Sequence, residues 1–321
     1  MKHLFSIFAA LIMAATISAA QTAPANQPPA NQPPASQPKA GAPAAQTPGT
    51  APAQGQAPAQ APAGKKRPEA KTQEEFQAFQ QAQASPSPEA LEKAADAFAQ
   101  KYPNSELRSL LYSHAMMMYQ QQNNPDKLLD VAHKVTAIDP NDPVANVFIA
   151  TFLPEHVRET DLDKDDKYAE AAKAANTALV NVDNIIADAP PAQVEANKNL
   201  IRSMAYASIG TIALNNKEYP KAEENLKKAI DAGQGVNSDP VMYLRYSVAL
   251  DRQNKYQPAL QAANKALELS PQGSPFYNLA NQERTRLMQL MGSNPGGAKP
   301  ATTAPAPPQT QTPPSNPTTP K

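Results

Sequence analysis

The sequence predicts an all-α fold, a solenoid of antiparallel helix hairpins flanked by disordered proline-rich tails. Three observations predict it. Proline crowds into the two ends and thins out between about Thr72 and Met291. In that middle stretch apolar residues recur at helical spacing. One amphipathic phrase is also written twice: YPKAEENLKKAI, from Tyr219 to Ile230, returns 37 residues later as YQPALQAANKAL, from Tyr256 to Leu267.

The N-terminal stretch, MKHLFSIFAALIMAATISAAQ, reads as a signal peptide over residues 1–20. Lys2 and His3 form a basic n-region, Leu4 to Ile17 is an apolar run of signal-peptide length, and Ser18 and Ala20 are small residues at the cleavage positions. Cleavage is expected after Ala20, and no transmembrane helix is expected in the mature chain. Residues 21–71 read as a Pro/Ala/Gln-rich linker in which Ala25-Asn-Gln-Pro-Pro29 repeats at Ala30. Proline fixes φ and the segment has few large apolar side chains to bury, so disorder with extended polyproline II character is expected. The basic cluster GKKRPEAK, Gly64 to Lys71, reads as a solvated boundary. Residues 292–321 repeat the proline-rich character at the other end.

Between the tails the helices come in pairs. Tyr219, Ala222, Leu226 and Ala229 are spaced 3, 4, 3 and share one helix face, as do Tyr256, Ala259, Ala263 and Ala266, and Tyr168, Ala171, Ala175 and Ala178. Small residues on that face let a neighbouring helix approach closely. Pro220 and Pro258 fall in first turns, where a missing N–H costs nothing. Each phrase follows another amphipathic helix, marked by Tyr206, Ile209, Gly210 and Ala213 or by Tyr243, Tyr246, Ser247 and Leu250. An earlier one carries Tyr112, Ala115, Met116 and Tyr119. Asp139-Pro140 and Ser270-Pro271 mark the ends of second helices. SPEALEKAADAFAQKYPNSE reads as a second helix with Ser87 as N-cap and Pro88 at the first helical position, and Ser274 to Met291 reads as a terminal cap helix.

Helix pairs with a large residue early in the first helix, a small pair in its middle, Tyr near the turn, Ala in the second helix and a closing Pro resemble the tetratricopeptide repeat (TPR). The resemblance covers most of residues 105–291 and is strongest at 203–236 and 240–273. It implies a TPR-like domain over 72–291 that stacks hairpins into a concave binding surface. The pattern breaks between about Asn141 and Gln193, where FLPEHVRETDLDKDDK reads as a polar loop inserted between the two helices of a pair. The positions that line the family's groove correspond here to Ser113, Met117, Ala207, Thr211, Leu244 and Val248. Some family members clamp a peptide carboxylate there with Lys, Asn and Arg; only Arg245, one place along, resembles a clamp residue. Apolar and backbone contacts are therefore expected, with Gln120, Gln121, Asp251 and Arg252 as a polar rim.

No catalytic constellation is visible. The chain has no Cys, which excludes disulfides, metal-thiolate sites and Cys nucleophiles. The four His are scattered, and Asp161, Asp163 and Asp165 alternate as in an EF-hand but lack its Gly and Glu. No cofactor is expected. Equal numbers of basic and acidic residues, 29 each, give no electrostatic reason for nucleic-acid binding. The sequence thus points to an exported, non-enzymatic scaffold, periplasmic or extracellular, that binds a protein or peptide. The alternatives are an envelope spacer touching wall polymer and an accessory subunit of an envelope enzyme complex.

Overall fold

The computed structural model describes residues 65–293 apart from Ala187 and the Ser293 side chain. The expected signal peptide, most of the expected linker and nearly all of the C-terminal tail lie outside the described residues. Within them are eleven α-helices and no strand. They are α1 (Gln73–Gln83), α2 (Pro88–Lys101), α3 (Leu107–Gln121), α4 (Pro125–Ile138), α5 (Pro143–His156), α6 (Lys164–Val180), α7 (Pro191–Asn215), α8 (Tyr219–Ala232), α9 (Pro240–Asp251), α10 (Tyr256–Leu269) and α11 (Pro275–Ser293). A short 3-10 turn, Val182–Asn184, follows α6.

One local code starts four of these helices, α2, α4, α5 and α9: a capping side chain followed by proline. Ser87, Asn124 and Asp142 each accept a hydrogen bond from the backbone N–H three residues on, and Asp239 accepts from Val241; Pro88, Pro125, Pro143 and Pro240 follow them. The side chain satisfies an orphan donor, and the proline occupies the position whose N–H has no partner in any case. Three of the hairpin turns are also built alike. Asn123, Lys217 and Asn254 adopt positive φ of 52°, 63° and 61°. In each turn the next residue's N–H reaches back to the carbonyl five before it, Asn124 to Tyr119, Glu218 to Ala213 and Lys255 to Leu250, at 2.8–3.0 Å. This is a Schellman-type stop that folds the second helix back on the first.

The chain divides into two compact units, residues 1–208 and 209–321. In the first, α1 packs on α2 and α3, and α2 to α5 each pack on the next helix in order. In the second, α8 packs on α9, α9 on α10, and α11 closes against α10 and α9. Packing in chain order is the arrangement of an α-solenoid. The cores lie on the faces read from the sequence: Ala171, Ala175 and Ala178, then Ala222, Leu226 and Ala229, then Ala259 and Ala263, are fully buried, and Ala266 nearly so. Leu287 of α11 completes a cluster with Leu250, Ala259 and Ala263.

The structure corrects the sequence reading in three places. The inserted loop is shorter than expected, because FLPEH belongs to α5 and the loop begins only at Val157. Pro154 sits inside the last turn of α5 and cannot donate to the carbonyl of Ala150; the buried Ser208 hydroxyl donates to that carbonyl instead. A further helix, α1, precedes the first one read from the sequence. Its start is a Thr72–Glu75 capping box: the Glu75 N–H donates to Thr72 Oγ1 at 3.1 Å, while the buried Glu75 carboxylate accepts from backbone N–H groups and the Ser105 hydroxyl. Finally, residues 65–71 are packed against the helices, and α11 runs on to Ser293.

Candidate functional site

The groove positions fall on three helices, α3, α7 and α9. On α3, the core side is set by Leu111, Tyr112, Ala115, Met116 and Tyr119, all buried. The two tyrosines are tied down through their hydroxyls: Tyr112 donates to Asp96 at 2.7 Å and Tyr119 to Glu92 at 2.8 Å. Lys134 of α4 completes this network, donating to Glu92 and Asp96 at 2.9 Å each. Burial and the carboxylate partners raise both phenols above their usual range, so they remain donors. The sequence reading took these tyrosines as packing residues only. Glu92 and Asp96, one turn apart on α2, and Tyr112 and Tyr119, two turns apart on α3, were the available signal.

With α3 oriented in this way, Ser113 and Met117 are half-buried and Gln121 is exposed. Gln120 does not form a rim. It is buried, and its amide nitrogen has no hydrogen-bond partner among the described residues. His114, also on α3, is half-buried with Nδ1 unpartnered, and burial pushes its imidazole below the ordinary value.

The neighbouring α5 is buried over most of its surface, with Val144 and Thr151 half-buried and Glu155 and His156 exposed at its end. Asn146, Val147, Phe148, Ile149, Ala150, Phe152 and Leu153 are all buried. A helix apolar nearly all round is covered nearly all round.

On α9, Leu244, Arg245 and Val248 are half-buried and Arg252 is exposed. Asp251, expected at the rim, is 7 % exposed and committed to Arg286 of α11 at 2.5 Å. This placement follows from the helix repeat: Asp251 adjoins Leu250, and α11 lies directly over that end of α9. Ala207, near the end of α7, is half-buried, whereas Thr211 is buried. Of the eleven sequence-selected residues, the structure thus buries Gln120, Thr211 and Asp251 and leaves the other eight at least partly accessible.

The accessible side chains supply thioether, aliphatic and hydroxyl surface with a few polar ends. That chemistry suits contact with another chain better than bond-making. No protein-family model matches the chain, and no curated protein matches it. The architecture alone defines the class, an all-helical protein whose successive helices pack in order. No helix among the described residues is long and apolar enough to cross a membrane.

Proposed function

We propose that the protein is an exported, non-enzymatic TPR-like scaffold of the cell envelope or extracellular space that binds a protein or peptide. One observation carries the reading. Helix pairs with a common turn geometry recur along the chain and leave Ser113 and Met117 on one first helix, and Leu244 and Val248 on another, partly open. A single hairpin cannot bury its own apolar face, so repeating it makes a continuous core and an extended surface, and no reaction requires that repetition. Methionine adapts its shape to different partners, which fits Met117 to peptide contact. Export rests on the basic n-region, the short apolar run and the Ser18/Ala20 pair.

The test is a photo-crosslinking amino acid placed at Met117, at Val248 and, as a control, at Lys228 on the exposed side of α8, in native envelope. Adducts with one discrete protein at the first two positions and not at Lys228 are expected. Adducts only with wall polymer would favour the spacer reading. N-terminal sequencing of the native protein is expected to find Gln21 first, and an intact Met1 in a cytosolic fraction would refute export.

A further inference from the structure

The basic segment that joins the proline-rich linker to α1 lies along one edge of the first unit. That edge is formed by the turns between successive hairpins. At the turn between α2 and α3, Lys71 Nζ donates to the carbonyl of Asn104 at 3.3 Å, and the Lys71 N–H donates to Glu75 at 2.6 Å. At the turn between α4 and α5, Lys65 Nζ meets Asp139 at 2.6 Å. At the connection between α6 and α7, the Lys65 N–H donates to the carbonyl of Ile185 at 3.1 Å in a parallel bridge with Ile186, and Arg67 meets Asp188 at 3.2 Å. Seven residues therefore touch three consecutive turns.

The chemistry of each contact matches. Asp139 and Asp142 are like charges on one short turn, and the Lys65 ammonium offsets both. Ile185 is buried, and its carbonyl has the Lys65 N–H as partner. Lys66, between the two contact residues, instead pairs with Glu69 of the same segment and points to solvent. Alternation of this kind belongs to an extended chain, in which residues i and i+2 face the same way.

We propose that residues 65–71 form a reversible ionic clasp that holds the three inter-hairpin turns of the first unit together. The side chains of Lys65 and Arg67 are 44 % and 43 % exposed, and Asp188 is 47 % exposed. Ion pairs that exposed are weak one by one and screened by salt. The clasp therefore opens well before the helices unfold.

Hydrogen exchange on the full-length protein tests this. In Lys65→Glu/Arg67→Glu, exchange of the residue-65 amide, whose N–H donates to the Ile185 carbonyl, is expected to rise about two- to tenfold, the range two exposed ion pairs sustain, with no change at residues 209–293. Lys66→Glu is expected to leave it unchanged, and adding Asp139→Lys/Asp188→Arg to the reversed pair is expected to restore protection. Raising salt on the unmodified protein provides a readout that needs no variant, and exchange of the Lys65 amide is expected to rise with it. Unchanged exchange in the reversed pair, an equal effect from Lys66→Glu, or protection insensitive to salt would each overturn the clasp.

Discussion

Gly210 of α7 and Leu226 of α8 approach so closely that a Cβ on Gly210 would stand 2.7 Å from Leu226 Cγ and 3.0 Å from Leu226 N. Real Cβ contacts are almost never that short, so at this point only glycine lets the two helices of the hairpin meet. Thirty-seven residues on, the same two places hold Ser247 and Ala263. There the small residue has moved to the second helix, and Ser247 uses its hydroxyl to donate to the Ala259 carbonyl at 2.8 Å. The two hairpins solve one packing problem by exchanging which helix gives way.

Copying the second solution into the first hairpin tests this account. Gly210→Ser is expected to cost about 1–3 kcal/mol by overpacking. Leu226→Ala alone is expected to cost about 2–5 kcal/mol as a cavity. The double variant is expected to lose clearly less than the two costs combined, because the alanine makes room for the serine. Urea melts of the four proteins give the coupling, and simple additivity would refute it.

Ala222 and Ala259 occupy matching places on α8 and α10, and both are fully buried. Ala222→Leu and Ala259→Leu each push three heavy atoms into a closed contact and are expected to cost about 1–3 kcal/mol. Ala232, the last residue of α8, is only half-buried, so Ala232→Leu is expected to change stability by less than about 0.5 kcal/mol. Equal losses at all three sites in urea melts would show that the buried face has been misassigned.

The buried faces were legible in the sequence because helical periodicity is a local signal. The 3, 4, 3 spacing places Ala171, Ala175 and Ala178 correctly even where the repeat pattern breaks. Start signals were legible too, as Ser87-Pro88 shows, and the Thr72–Glu75 capping box carried the same kind of information for α1. What the sequence could not show was partnership across distance. Asp251 looks like a surface residue until Arg286, from a helix 24 residues on, lies across it. Lys65 and Arg67 look like solvated charges until the turns at Asp139 and Asp188 fold beneath them. What covers α5 is likewise tertiary, since its apolar pattern says that Val147 is buried but not against which element.

The network on α2, α3 and α4 predicts a response to acid. Burial alone would raise the Glu92 and Asp96 carboxyls, but Lys134 and the two tyrosine hydroxyls hold both below their ordinary values. A carboxyl lowered by folding contributes stability that is fully present above its unfolded value, about 4, and is lost as pH falls through the folded value. Lys134→Met keeps the apolar stem and removes the charge, so burial prevails and both carboxyls move up. The acid unfolding midpoint, followed by far-UV circular dichroism, is expected to shift to higher pH in the variant. An unchanged midpoint would mean that the network adds nothing to acid stability.

Lys217 provides the sharpest local test of the hairpin turns. It shares positive φ and the same backbone hydrogen bonds with Asn123 and Asn254, yet it alone of the three is neither Gly nor Asn. A left-handed backbone costs an ordinary side chain about 1–2 kcal/mol, and asparagine reduces that cost by hydrogen-bonding locally. Lys217→Asn is therefore expected to stabilise the protein by several tenths of a kcal/mol up to about 1 kcal/mol. Asn254→Lys is expected to lose a similar amount, because it writes the costly residue into the equivalent turn. Lys217→Gly is expected to gain less than Lys217→Asn, since glycine also adds freedom to the unfolded chain. Thermal melts of the three variants measure these differences. If Lys217→Asn destabilises, the lysine makes a contact that outweighs its backbone cost, and the three turns are equivalent in geometry but not in energy.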